Sequence, residues 1–533
     1  MESPPPPQTG ARPSALGPLA LYALALVAWA GALFPGGFSF DDRQAILESP
    51  YVRGEQPVLA AFTQDYWHHI GDAGHYRPTA TLSLRLDYAL YGEWARGYHI
   101  TNLVLHGLVV LLAGLLVVRL ARPGSEARAC LLGLGLFAIH PALADSVAWI
   151  SGRSSALAIL PGLAVGLALH GWLNTERWAD RPRLRSIGIG LVFLGAIAIG
   201  LLGKEDGFWS ALFPALVLWR WRKDGLDPRP ATSLIAACIG LGLGLVAYGY
   251  LRQLALGSPW PAAPHAPLQG LPLLQRMTAS GAALVEAGRL LLWVLAIAAG
   301  TKLCLGMRGI ERAPRAAGLG LLLAPLSALP VLQLVPAGEV FAARFLYVPM
   351  LIATPALGYV LHRIARVVGG PKVVAAAGLG LVLTCIPAAR NYGSNRAYEQ
   401  AILDRFPMDR AAWNGLGLAL EGEADLEGAR AAWRRAIAID PTYGRPHSNL
   451  GRIALEVDGD PRAALEHFEL AARLGPGNPT AWINLGSMQL RIDDPQGAAT
   501  SYGRATTLAP GSATAWRGLG RSLAGLGRVD ESR

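Results

Sequence analysis

Residues 15–42 read ALGPLALYALALVAWAGALFPGGFSFDD: an uncharged apolar run to Phe34, a Pro-Gly-Gly break, and two adjacent carboxylates, Asp41 and Asp42. A run of roughly 18 or more apolar residues crosses ~30 Å of hydrocarbon as a helix. The break therefore puts the acid pair where the chain leaves a bilayer, a position that points to chemistry on something lipid-borne. Similar runs recur, about eleven of them, at 15–34, 100–118, 130–148, 154–173, 187–203, 207–219, 231–250, 281–300, 316–335, 345–361 and 373–389. Composition agrees: 52% of the 533 residues are apolar and only 16% charged, low for a soluble chain and ordinary for a polytopic one. The Pro4–Pro7 leader carries too little positive charge, and the first run is too long, for a signal peptide, so the run reads as a retained anchor.

Basic residues near span ends stay on the cytoplasmic side, and alternate connections carry them. They are Arg119, Arg122 and Arg128; Arg177, Arg181, Arg183 and Arg185; Arg220, Arg222, Lys223 and Arg229; Lys302, Arg308, Arg312 and Arg315; and Arg363, Arg366 and Lys372. Eleven spans put all five connections on one face, the N-terminus inside, and both the 35–98 loop and everything after Arg390 outside. These loops account for much of the net charge of +10, so nucleic acid is not expected as a partner. Abundant Ala, Gly, Arg and Pro with scarce Lys point to a high-GC bacterium, and hence to an inner membrane with a periplasmic outer face. Cys130, Cys238, Cys304 and Cys385 lie in or beside apolar runs without paired spacing, which predicts neither a disulfide framework nor a zinc site. Gly240-Leu241-Gly242-Leu243-Gly244 lies inside a span and precedes no Lys-Ser or Lys-Thr pair, so it reads as helix packing rather than a phosphate loop.

After Arg390 the chain becomes charged, alanine-rich and periodic. Pro407, Pro441, Pro476 and Pro510 recur every 34 or 35 residues, as do Gly417, Gly451, Gly486 and Gly520. Small and bulky pairs follow the first three glycines: Ala432 with Trp433, Ala464 with Phe468, Ala498 with Tyr502. This pattern resembles tetratricopeptide repeats, three full periods and part of a fourth, which stops at Arg533 where its second helix should begin and so reads as truncated. The resemblance implies an extended peptide or a protein partner on a concave face, with Asn449 and Asn484, at equivalent positions of successive first helices, as peptide-binding candidates; Gly415 and Gly518 replace them in the flanking repeats. The expected fold is therefore all-α: a leader over 1–14, a membrane helix bundle over 15–390 with outer loop 35–98, and a repeat solenoid over 391–533.

The outer ends of the spans collect further polar residues. In order they are Phe40-Asp41-Asp42, Tyr76-Arg77-Pro78, Gly97-Tyr98-His99, His140-Pro141, Ser151-Gly152-Arg153, Lys204-Glu205 and Arg344-Phe345-Leu346-Tyr347. Charges on one face of a membrane define a polar cavity there. This ordered set, followed by outer repeats, resembles the transmembrane and tetratricopeptide repeat-containing O-mannosyltransferases, and more broadly the GT-C glycosyltransferases that use lipid-phosphate sugars. It departs from that pattern at Ala343 and Ser155, where the family often carries an acid.

The resemblance implies transfer of a sugar, mannose by family analogy, from a polyprenyl-phosphate donor to an acceptor hydroxyl, with inversion at the anomeric carbon. It assigns the catalytic acid to the first outer loop, so Asp41 or Asp42 would take the acceptor proton. Arg77, Arg153, Lys204 and Arg344 are candidates to stabilise the leaving phosphate. His99, His140, Glu205 and Tyr347 complete the candidate donor site. No metal ligand set is evident, since two adjacent acids alone make a weak hard-cation site; a divalent metal requirement is left open. Blander roles compete: the acids as turn caps, the arginines as interface anchors, Lys204-Glu205-Asp206 as a self-neutralising corner, and His99, His106 and His140 as interhelical hydrogen-bonding residues. Two other functions compete as well, a non-catalytic membrane-anchored scaffold and a ligase for lipid-linked glycans.

Overall fold

A computed structural model of the chain describes residues 16–30, 37–39, 42–66, 75–121, 125–140, 143–175, 181–226, 230–257, 347–368, 394–404, 407–509 and 512–528, with a few positions between 379 and 391. Contacts divide it into two compact units, Met1–Gly393 and Ser394–Arg533. Regular structure among the described residues is entirely helical.

The first unit contains α1 (Leu16–Trp29), α2 (Pro78–Tyr91), α3 (Ala95–Leu120), α4 (Ser125–Ala138), the single turn α5 (Ala144–Val147), α6 (Ser154–Leu173), α7 (Pro182–Gly203), α8 (Leu212–Lys223), α9 (Pro230–Leu256) and α10 (Tyr347–Val368). Short 3-10 turns cover Ile150–Arg153 and Glu205–Ala211, and Arg43–Leu47 winds as one π turn after Asp42. Four stretches are long and apolar enough to cross a bilayer: Ala95–Leu120, Ile150–Leu173, Pro182–Gly203 and Ala231–Leu256. The expected eleven are not reached among the described residues. The run at 207–219 begins in the 3-10 turn, and α8 has only 12 residues, about 18 Å of helix. The run at 130–148 is interrupted after Ala138, so that α4 and α5 share it. The runs at 281–300 and 316–335 lie outside the described residues, as does most of 373–389.

One helix states its surroundings plainly. On α9 the stripe Ile235, Ile239, Leu243, Val246, Tyr250 and Leu254 is more than half exposed, while Ala237 and Tyr248 on the opposite stripe are buried. An apolar face turned outward and a small-residue face turned inward is the reverse of a soluble amphipathic helix, and is what a lipid-facing helix requires. Gly240 is the reason α7 and α9 lie so close: a Cβ there would fall 1.9 Å from the carbonyl oxygen of Gly190. The glycine run is thus a helix crossing, as its sequence setting predicts.

Helix direction sorts the charges. Arg119 lies in the last turn of α3, Arg183 and Arg185 in the first turns of α7, and Arg220, Arg222 and Lys223 in the last turn of α8. The opposite ends, namely the starts of α3 and α6 and the end of α7, meet in the cluster described below.

The second unit is a solenoid: α11 (Asn395–Leu403), α12 (Arg410–Gly422), α13 (Leu426–Ile439), α14 (Arg445–Glu456), α15 (Pro461–Leu474), α16 (Pro479–Arg491), α17 (Pro495–Leu508) and α18 (Ala513–Gly525). The repeated glycines do what their spacing predicts. A Cβ on Gly417, Gly451 or Gly486 would strike the ring of Trp433, Phe468 or Tyr502, so each pair of helices closes by seating an aromatic ring on a bare backbone. Trp413 and Trp482 each donate an indole N–H, at 2.9 Å, to the carbonyl of the proline six residues earlier. Caps recur too: Asp409, Asp425, Asp460, Asn478, Asp494 and Ser512 each accept a first-turn N–H. Asp460 accepts from Arg462 and Ala463, both at 3.0 Å. Asp460→Ala is expected to cost about 1 kcal/mol, read as a roughly fivefold rise in amide exchange at the start of α15.

Candidate functional site

Asp42 closes the segment before α2 onto the 3-10 turn that leads into α6. Its Oδ1 accepts the Ser151 hydroxyl at 2.7 Å and the Ser151 N–H at 3.0 Å. Its Oδ2 accepts the Ser39 N–H at 3.2 Å and, weakly, the Ser39 hydroxyl at 3.5 Å. The residue is fully buried. Burial pushes the carboxyl up to about 6, against the hydrogen bonds from Ser151 and Ser39 and the charge of Arg153, which pull it down. A carboxylate poised near neutrality is a better proton acceptor than one in water. Ser151→Ala removes a donor that favours the ionised form, so the acid limb of any activity carried by Asp42 is expected to move up by about 1 pH unit. Asp41 lies outside the described residues.

Ser151 is held in turn by its neighbours. A Cβ on Gly152 would fall 1.9 Å from the Asp145 carbonyl oxygen, so only glycine lets the 3-10 turn pack there. Arg153, 1% exposed, donates to Asp87 at 2.5 Å, to Ser83 at 3.0 Å, to the Tyr98 carbonyl at 3.1 Å and to the Ile150 carbonyl at 3.2 Å. Asp87, 2% exposed, also accepts the Thr101 hydroxyl at 2.8 Å. Asn102 donates to the Trp149 and Ile150 carbonyls at 2.7 and 3.2 Å. Both ring nitrogens of His99 lie against carbonyls, Ala148 at 2.9 Å and Gly37 at 3.1 Å. The Gly-Tyr-His and Ser-Gly-Arg motifs therefore interlock, and their charged members face protein rather than an open cavity. Arg153 and His99 position the turn that holds Asp42, which differs from the donor-phosphate role expected of them. The interhelical role fits His99, and His106 as well, whose ring bridges the Tyr347 hydroxyl at 3.0 Å and the Ala138 carbonyl at 3.2 Å. Tyr347 is thereby fixed beside His106, which lies seven residues, about 10 Å of helix, along α3 from His99.

A second group gathers where α7 ends. Lys204 donates to the Ser155 hydroxyl at 2.9 Å and pairs with Asp206 at 3.4 Å. Ser155, where an acid was the family expectation, thus contributes a neutral hydroxyl to the ammonium. Arg77 pairs with Glu205 at 3.4 Å. Burial would raise the Glu205 carboxyl, yet the Arg77 charge, with His75 and Lys204, brings it down to about 2, so it is ionised at any working pH. Arg77 is 21% exposed at its side chain, and its Nε is buried with no acceptor among the described residues. Arg344 lies outside the described residues, and His140 sits part-buried in the turn after α4, where its carbonyl accepts from Leu143 at 3.0 Å. Among the described residues no three His, Cys, Asp or Glu side chains converge as a metal site would need.

In the repeats, Asn449 donates its amide to Asn414 of the preceding repeat at 3.1 Å. That ties a donor expected to meet peptide. Asn484 is half-buried on α16.

Sequence reading missed Asp87 and Ser39, and gave Ser151 and Asn102 no role. For Asp87 a signal existed: a carboxylate four residues after Ser83, on a helix flanked by apolar residues, marks the inward face on which an arginine must find its counter-ion.

The tetratricopeptide repeat family model matches residues 393–443, 450–512 and 490–533. The chain is 33% identical over 234 residues to protein O-mannosyl-transferase Tmtc2 of Drosophila melanogaster, covering 42% of this chain and 24% of that protein. It is 28% identical over 243 residues to protein O-mannosyl-transferase F38B6.6 of Caenorhabditis elegans, covering 45% and 32%. With protein O-mannosyl-transferase TMTC4 of Homo sapiens it shares 30% over 225 residues, covering 38% and 30%. The chain spans about a quarter to a third of the length of these curated relatives. Over the matched stretches it is similar to these O-mannosyl-transferases, and its C-terminal part matches the tetratricopeptide repeat model.

Proposed function

We propose that this chain is an integral-membrane glycosyltransferase that moves one sugar, mannose, from a polyprenyl-phosphate donor to a hydroxyl on a protein acceptor at the extracytoplasmic face of a bacterial inner membrane. The observation that carries this reading is the buried Asp42 carboxylate, raised to about 6, at the same end of the bundle as the Arg77–Glu205 and Lys204–Asp206 pairs. The names of the relatives support the reaction class, and the repeats support a protein as acceptor or partner.

In this mechanism the acceptor hydroxyl replaces the long Ser39 contact at Asp42 Oδ2 and gives up its proton there as its oxygen bonds the anomeric carbon. The bond from that carbon to the phosphate oxygen breaks, and the leaving phosphate takes the electron pair. Arg77 Nε and the Lys204 ammonium are the donors best set to stabilise its growing charge. Glu205 aligns the Arg77 fork. Because a planar guanidinium and a point charge present donors differently, Arg77→Lys is expected to raise KM for the lipid donor about tenfold. Steady-state transfer in vesicles reads this, and an unchanged KM removes Arg77 from the phosphate site.

A membrane-anchored scaffold is the second reading, favoured by the complete burial of Asp42 and by the structural contacts of Arg153 and His99. It predicts that partners captured by the repeats are the same with and without an intact Asp42, and that no sugar moves in either case.

A further inference from the structure

α8 packs along α6 and α9 packs along α7, and between α8 and α9 a trough of about 680 Å³ is left, which Phe193 of α7 also lines. Small side chains hollow its two walls, Ala215 on α8 and Ala237 on α9. It opens outward, on the lipid-facing side of α9, where Trp219 and Leu234 are about half exposed. Its depth is set by helix register. Phe193 and Leu241, at the inner end, each lie eleven residues from the first residue of their helix, about 16 Å along the axis. That is close to half of the ~30 Å of hydrocarbon in a bilayer, the thickness of one leaflet.

The outer end of the trough has a different chemistry. Arg222 and Lys223 line it there, with the Lys223 ammonium 4.6 Å from the centre of the Trp219 ring. Tryptophan rings collect at the level of lipid head groups. Residues 220–229 carry Arg220, Arg222, Lys223 and Arg229 against Asp224 and Asp227, and Asp224 already pairs with Arg220 at 2.9 Å. Arg183 and Arg185 add to the positive charge from the first turns of α7. This end is opposite to that of Lys204, which caps the far terminus of α7.

We propose that this trough holds one anionic phospholipid of the leaflet opposite the Asp42 cluster, its phosphate at Arg222 and Lys223 and one acyl chain laid along Leu218 and Leu234 toward Phe193. The shape and the charge select the class together. A soluble anion would satisfy the cations and leave a leaflet-deep apolar trough unfilled. A neutral lipid would fill the trough and leave two cations at its mouth without a partner. A basic pocket between membrane helices is the kind of surface that retains an anionic head group, at about 1 kcal/mol for each cation. The inference needs no catalysis and stands apart from the transferase reading.

The test is native mass spectrometry of the full chain, titrated in detergent with phosphatidylglycerol and with phosphatidylcholine of the same acyl chains. Wild type is expected to hold one phosphatidylglycerol about 30-fold more tightly than phosphatidylcholine, the equivalent of two cations. Arg222→Gln alone is expected to lower that preference about fivefold, and Arg222→Gln with Lys223→Gln to abolish it. Cys238→Phe places a ring in the trough from an exposed position on α9 and leaves the charges intact. It is expected to weaken phosphatidylglycerol at least tenfold. Equal binding of the two lipids by wild type, or a preference that survives loss of both cations, would overturn the site. So would full affinity in Cys238→Phe, which would mean lipid gathered by charge alone, or displacement of the lipid by glycerol phosphate, which would mean a site for a soluble anion.

Discussion

Replacing Asp42 by asparagine is expected to lower kcat/KM for sugar transfer by about 10²–10⁴-fold, the usual contribution of a positioned general base. Asparagine keeps the size of the side chain and an oxygen for Ser151, so insertion into the membrane and binding of the lipid donor should persist. What disappears is the proton acceptor. The pH profile gives an independent sign. With the Asp42 carboxyl raised by burial to about 6, wild-type kcat/KM falls as pH drops through that value, because the protonated acid cannot accept the hydroxyl proton. The residual activity of Asp42→Asn should show no such limb near 6. An acid limb that survives the substitution assigns the proton to another group, and Asp41 is then the first to test.

The second large effect concerns stability. Arg153→Met is expected to cost about 3–5 kcal/mol, since it strips the counter-ion from Asp87 in a place where both side chains are at most 3% exposed. Asp87→Leu with Arg153→Met should recover most of that loss, because a buried pair replaced on both sides leaves no orphaned charge. Thermal unfolding of the three proteins in detergent measures this, with the single variant well below the other two. The double variant also separates stability from catalysis. It restores packing but releases the Ser151 turn from Tyr98 and Ser83, so its acid limb is expected to shift while its melting temperature returns. Equal melting for all three proteins would mean that the Asp87–Arg153 pair holds nothing.

The helical fold was legible because both of its periods are physical. Apolar runs that must cross hydrocarbon are long, and tetratricopeptide helices that must close on each other repeat a glycine opposite an aromatic ring, as Gly417 does with Trp433 and Gly451 with Phe468. The number of spans was less legible, because an apolar run does not say whether it is one helix. Residues 207–219 and 130–148 are both cut by turns that length and hydropathy do not register. At the site, sequence order named residues that do meet, such as Asp42 with Ser151 and Arg77 with Glu205, but gave none of their partners. Asp42, Arg77, Lys204 and Glu205 were visible as charges at span ends. That Arg153 turns inward to Asp87, and that His99 bridges Ala148 and Gly37, depends on partners 66, 49 and 62 residues away in the chain. A charged residue near a membrane mouth reads the same whether it faces a substrate or a buried counter-ion, and only the tertiary contact separates the two.

Incorporation of label into a protein acceptor, from polyprenyl-phosphate mannose presented in vesicles that contain the purified full chain, tests the central claim most directly. Transfer from the lipid donor, and none from a water-soluble nucleotide mannose supplied alone, is the predicted result. Label moving from the nucleotide sugar without any lipid intermediate, or no transfer from the lipid donor to any protein hydroxyl, would contradict it.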